Sequence, residues 1–218
     1  MKKILLILGM VFCCTNIQAQ EAKKYAVKSG YIKIEISGNT KGTKELWWDD
    51  YGDKSCELEK STTTTKMFGI ESTDKKNMLT IIVKDRYWVI DYLDNSGTKG
   101  KVPFYEDAKK SVNSMSKEEQ EEFSNEILLK MGGEKEGTET VNGYKCDVFK
   151  IMGSKSWIYK GIAIKSEVSI LGITSNEIFT EFVPGKDIPS SKFVAPKNIN
   201  YKDLAKVKSN LWNSMDNN

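Results

Sequence analysis

The chain has no histidine in 218 residues. That absence excludes Ser-His-Asp and Cys-His catalysis and any histidine-ligated zinc or iron site. Acid–base chemistry would fall to Asp, Glu, Lys or Tyr alone. After residue 19 no segment has the roughly 18–20 apolar residues of a membrane helix. No long block of one charge sign occurs either. Removing Lys2 and Lys3 with the first segment leaves 31 basic against 30 acidic side chains, or +1. Nucleic-acid binding needs a clustered basic face, and the interspersed charges supply none. A glycine-rich phosphate loop is also missing. The nearest run, MGGEKEG, follows a helix instead of opening one, which is the wrong polarity for cradling phosphate.

What is present begins with an export signal. MKK is a positive n-region, ILLILGMVF an apolar h-region, and Ile17-Gln18-Ala19 a small-residue cleavage site. Residues 1–19 read as a signal peptide cut after Ala19, leaving one domain, residues 20–218, in the periplasm or outside the cell. A lipid anchor on Cys13 or Cys14 is disfavoured, because bulky Phe12 or Cys13 would sit where a small residue is needed. Cys56 and Cys146 then remain, each on the more apolar phase of its strand. They read as a disulfide or as two buried thiols, and the sequence leaves both open.

Alternation with period two dominates the rest. GYIKIEIS places Ile32, Ile34 and Ile36 on one face. TKELWWDDYG carries Leu46 and Trp48 on one phase. KSCELEKSTTTT, NMLTIIVK and DRYWVIDYL follow, and DNSGTKG reads as a turn. Ser116 with Glu119 forms a capping box, so KEEQEEFSNEILLKM reads as a helix bearing Phe123, Ile127, Leu128 and Met131. Strands resume with GTETVNG, YKCDVFKIM, SWIY, GIAIKSEVSIL and ITSNEIFTEFV. In GIAIKSEVSIL the residues Ile162, Ile164, Val168 and Ile170 form a dry face. A final helical stretch carries Leu204, Val207, Leu211 and Met215.

The sum is a mainly β (α+β) chain of about ten strands in meander order. It predicts a strongly curved antiparallel sheet, an incomplete β-barrel with helices covering its concave face. Without βαβ alternation, a parallel nucleotide-binding sheet is disfavoured. The internal helix and the charged wet faces disfavour a transmembrane barrel.

Adjacent Trp47 and Trp48 must point to opposite faces of a strand, as must Tyr87 and Trp88. An exposed tryptophan stacks on sugars or lies against lipid; a buried one is packing. Asp49-Asp50 and Asp91 with Asp94 are carboxylate pairs, but at strand ends they fit turn chemistry better than a glycosidase pair. DNSGTKG lacks the alternating acidic ligands of a calcium loop. Glu118, Glu119, Glu121 and Glu122 form a solvated helix face. No metal or cofactor is expected.

NGYKCDVFKI, SWIYKGIAIKSEVSILGI and IPSSKFVAPKNINY together resemble the periplasmic lipoprotein carriers of the LolA and LolB superfamily, in particular its uncharacterised exported branch. The resemblance covers about residues 142–201. It implies a half-barrel whose apolar concave face accepts an acyl chain or a lipidated partner, without enzymatic activity. Applied to this chain, it implies a lining of Ile32, Ile34, Ile36, Leu46, Trp48, Trp88, Ile162, Ile164 and Val168, with Phe123 and Ile127 on a lid helix. The cargo-gating polar residue of the carriers matches no position here. Two other readings are kept: an envelope-assembly or interaction module with a self-filled core and transient contacts to envelope proteins, and a carbohydrate-binding protein using exposed tryptophans.

Overall fold

A computed structural model of the protein describes residues 23–204. The signal segment and the last predicted helix beyond Leu204 lie outside the described residues. β1 (Gly30–Gly38), β2 (Thr40–Asp49), β3 (Lys54–Met67), β4 (Ile70–Val83), β5 (Arg86–Asp91) and β6 (Ser96–Lys101) form an antiparallel meander. Two helices follow, α1 (Tyr105–Asn113) and α2 (Lys117–Lys130). A second meander runs through β7 (Gly133–Val141), β8 (Tyr144–Ile151), β9 (Ser154–Tyr159), β10 (Ile162–Ile170) and β11 (Ile173–Pro184). β11 pairs with β1 and fuses the halves. β12 (Asn200–Asp203) closes the far side, parallel to β6. The result is one mixed sheet of twelve strands, not closed into a barrel, with β12 and β7 as its edges. Among the described residues no helix is long and apolar enough to cross a membrane.

The register assigns faces. Gly30, Trp48, Ser55, Ile82 and Tyr87 stand opposite one another across five strands, and so do Tyr31, Trp47, Cys56, Ile81 and Trp88. Residues directly opposite share a face, so the first row and the second lie on opposite sides of the sheet. Both sides are covered. Ile32, Ile34, Trp48, Cys146, Val148, Trp157, Ile162 and Ile164 belong to one buried cluster. Trp48 has no exposed surface; its Nε1–H donates to the Val27 carbonyl at 3.1 Å, and its ring meets Tyr25 edge-on. Tyr144 extends this cluster, with ring centroids 4.9, 5.6 and 5.2 Å from Tyr159, Phe179 and Phe182. Each large apolar side chain so buried contributes about 1.5–3 kcal/mol. On the other side Cys56, Ile81, Trp47 and Trp88 lie beneath Phe193, Ile188 and Ala195 of the segment leading to β12.

Three expectations are corrected. The strand count is twelve, because SGTKGK and NYKD are also strands. β6 is short and lacks apolar residues because neighbouring side chains lie over it. A Cβ on Gly97 would meet Tyr201 at 2.9 Å, and one on Gly100 would meet the Tyr87 hydroxyl at 2.7 Å. The sheet is not purely antiparallel, since β12 runs parallel to β6. The helices do not blanket the apolar clusters. The Ser116–Glu119 capping box is present, and Leu128 packs beside Gly133 and Ile151, but Phe123 and Ile127 remain exposed. α1, which the sequence pattern did not announce, is held through Asp53. Tyr105 donates to that carboxylate at 3.2 Å and Lys109 at 2.9 Å.

For the cysteines the structure shows one of the two readings the sequence leaves open. Cys56 belongs to the Trp47 side of the sheet and Cys146 to the Trp48 cluster, and both are free. Burial pushes the Cys56 thiol up to about 11 and also raises that of Cys146. For the chain from Gln20 onward, a thiol reagent at pH 8 is expected to find no reactive group in the folded protein. Two should appear after denaturation, and one reacting while the protein is folded would contradict this burial.

Candidate functional site

The N-terminal segment ties the two meanders together before β1 begins. Tyr25 N–H donates to the Tyr51 carbonyl at 2.9 Å, and Ala26 N–H to the Lys160 carbonyl at 3.0 Å. Beside this staple a groove of about 380 Å3 opens. Ile34, Leu46, Phe149, Ile151, Ile158 and Ile162 give it apolar walls. Tyr25 and Met131 flank it, while Ser154 and Ser156 add hydroxyls.

Its polar wall comes from charges on the apolar phase of the strands. Lys44 continues the Leu46 and Trp48 phase of β2, and Glu57 and Glu59 are on the matching phase of β3. Lys44 Nζ donates to Glu177 Oε1 at 2.7 Å, with both side chains mostly buried. Desolvation opposes the Lys44 charge, but Glu177, Glu57 and Glu59 outweigh it and hold the ammonium above its ordinary range. Burial likewise pushes Glu59 up. Its contacts with Lys76 at 2.6 Å, Lys44 and Ser61 overcome that and hold it below the usual carboxylate range. Lys44 and Glu177 are therefore paired within the wall. The pair can orient a polar group at the end of an apolar ligand.

The sequence-predicted lining divides. Ile34, Leu46 and Ile162 do line the groove. Ile32, Trp48 and Ile164 have no exposed surface and fill the core beneath it, and Ile36 is buried as well. Val168 is half-buried, paired with Ser154 and Ser175. Trp88 stands on the Trp47 side, in the other cluster. Phe123 and Ile127 do not reach the groove. Residues missed from the sequence include Lys44, Glu57 and Glu177. Their signal was available: a charge on the dry phase of an alternating strand must find a partner inside.

The other features do structural work. Asp49 Oδ1 accepts from Asp50 N–H at 2.7 Å and its other oxygen pairs with Lys54, capping a short turn. Asp91 accepts from Leu93 N–H at 2.9 Å. Trp47 is half-buried beneath the Lys192 ammonium, 3.6 Å from the ring centroid. A second, smaller pocket of about 230 Å3 lies under α1, walled by Ile82, Val102, Pro103, Ala108 and Val112.

No protein-family model and no curated protein matches the chain. Among solved structures it is similar to an uncharacterised conserved protein from Thermus thermophilus. That likeness has 9% identity and a TM-score of 0.49, covering 82% of this chain and 91% of the other. It is also similar to part of PNGF-II, at 13% identity and a TM-score of 0.42, covering 85% of this chain and 33% of that one.

Proposed function

We propose that this is an exported, non-enzymatic protein that binds an acyl chain, free or attached to a lipidated partner, in the groove beside Lys44. The observation that carries the reading is the groove itself: apolar walls from strands of both meanders, ending at a paired ammonium and carboxylate. That combination matches an amphiphile, with hydrocarbon along Ile34, Ile158 and Ile162 and a polar head at Lys44. Each buried methylene contributes about 0.8 kcal/mol, so six contribute about 5 kcal/mol before ordering costs. Such binding is weak enough to release its cargo. The LolA and LolB resemblance of residues 142–201 supports the same reading.

Native mass spectrometry of protein purified from its own host is expected to reveal a co-purifying lipid. A dansylated fatty acid should bind the delipidated protein. Ser156→Phe projects a ring into the groove and is expected to weaken that binding at least ~10-fold while leaving the melting temperature within a few degrees. Unchanged binding in Ser156→Phe, or none in the parent protein, would remove the proposal.

A further inference from the structure

Exposed apolar residues occur at several places, among them Phe104, Leu129 and Val194, but three others share one kind of site. Phe68 is 97% exposed, Met152 79% and Leu171 94%. Each is the first residue of a two-residue hairpin turn, followed by Gly69, Gly153 and Gly172 respectively. The registers of the two meanders bring the turns after β3, β8 and β10 out at the same end of the sheet, where Gly38 also lies. Turns of the same build at the opposite end follow β7 and β9, and there the first residues are Asn142 and Lys160.

This contrast acts as an internal control. In all five turns the first residue has a left-handed φ between 46° and 52°, and the glycine after it also has positive φ. That geometry favours Asn-Gly or Asp-Gly, so Phe, Met and Leu are poor choices for the turn itself. Two of these turns do not brace the rest of the protein, since a Cβ on Gly69 or Gly172 would meet nothing within 4 Å. In the third, the Gly153 carbonyl accepts from Ser169 N–H at 2.9 Å without involving the Met152 side chain. β3 and β4 also run on as a two-stranded ribbon beyond Thr63, which pairs with the first residue of β2, so Phe68 is carried clear of the sheet. The turn after β5 also leaves toward this end and carries exposed Tyr92 and Leu93. The turn after β1 behaves differently. Its Asn39 side chain accepts from Thr174 N–H and Oγ1 and is part of the structure.

We infer that this end of the sheet docks on a lipid bilayer surface by inserting Phe68, Met152 and Leu171. The arrangement decides the occupant. With strands about 4.8 Å apart, the Met152 and Leu171 turns are separated by two strands, about 10 Å. The Leu171 and Phe68 turns are separated by four, about 19 Å. A stable protein partner requires roughly 1,200–2,000 Å2 of continuous burial, whereas these tips offer side chains set apart, with the Asn39 turn between Leu171 and Phe68. Hydrocarbon accepts separate plugs at any spacing. The charges nearby are paired, Lys66 with Glu71 and Lys150 with Glu134 and Glu136, so no single sign selects a charged partner. The inference does not depend on whether the groove holds a ligand.

The test uses the chain from Gln20 onward, so that the apolar run of the signal segment is absent throughout. It is expected to co-sediment with phosphatidylcholine vesicles, little affected by salt or by added anionic lipid. Phe68→Asn, Met152→Asn and Leu171→Asn should each weaken partitioning roughly tenfold, and the triple variant should stay in solution. Because Asn suits these turns, the triple variant should melt no lower than the parent, and Lys160→Leu at the opposite end should not alter partitioning. As a second readout, Leu171→Cys carrying an environment-sensitive dye should shift its emission to the blue with vesicles; Cys56 and Cys146 are buried and escape labelling. Equal partitioning of parent and triple variant, no partitioning by the parent, or an unshifted dye would overturn the inference. So would a triple variant that changed only the oligomeric state, which would identify this end as a contact between copies.

Discussion

Trp48→Ala is expected to destabilise the protein by about 3–5 kcal/mol, the range for removing a large buried aromatic side chain. For a domain of this size that lowers the melting temperature by roughly 10–15 °C. The indole has no exposed surface, stacks on Phe182 at 6.2 Å, meets Tyr25 at 5.6 Å and bonds Val27. Its loss empties the place where the N-terminal segment and the two meanders meet. Trp47→Ala is the matched control one residue away. That ring is half-buried, tilted against Tyr31 and covered by Lys192, so about 1–2 kcal/mol is expected. Thermal and chemical denaturation of the two variants decide the point. Equal losses would contradict the assignment of these neighbours to a core face and a rim face.

Gly42→Ala is expected to cost about 3 kcal/mol, the upper part of the range for overpacking, although Gly42 is not part of either apolar cluster. A Cβ there would lie 2.0 Å from the Lys60 carbonyl oxygen and 2.6 Å from the Ser61 Cα. Both are backbone atoms of β3, so no side-chain rotation relieves the contact. β2 and β3 must separate where Gly42 pairs with Ser61. The adjacent, exposed Lys41 gives the contrast, and Lys41→Ala should change stability by less than about 0.5 kcal/mol. Denaturant titration of both variants is sufficient. A Gly42→Ala protein as stable as the parent would mean that the two strands are farther apart here.

The ten strands with alternating or β-branched sequences were legible because period two reports directly on a sheet with a covered side. β6 and β12 were not, because short strands rich in Gly, Ser, Lys and Asn carry no such pattern. α1 was hidden for a similar reason: it starts after Phe104 in a left-handed conformation, with φ of 58° and no side-chain cap. The site was legible in part. Alternation places residues on one phase within a strand, yet it does not say which side of the sheet that phase occupies. Here both sides are covered, so Trp88 and Trp48 looked equivalent and belong to different clusters. The same ambiguity left Cys56 and Cys146 open between a bridge and two buried thiols. The groove depends on where the two meanders come together, which no local pattern encodes.

Pairing β1 with β11 also dictates the order in which the molecule can be completed. Every other antiparallel neighbour is joined by a short hairpin and can zip up as the chain leaves the ribosome. Ile32, by contrast, faces Phe182, 150 positions later. Such distant closure is slow. Until it happens, the row Ile32, Ile34 and Ile36 presents an unmatched greasy margin to every other nascent chain nearby. The strand at the middle of the finished sheet therefore spends the longest time as an open flank.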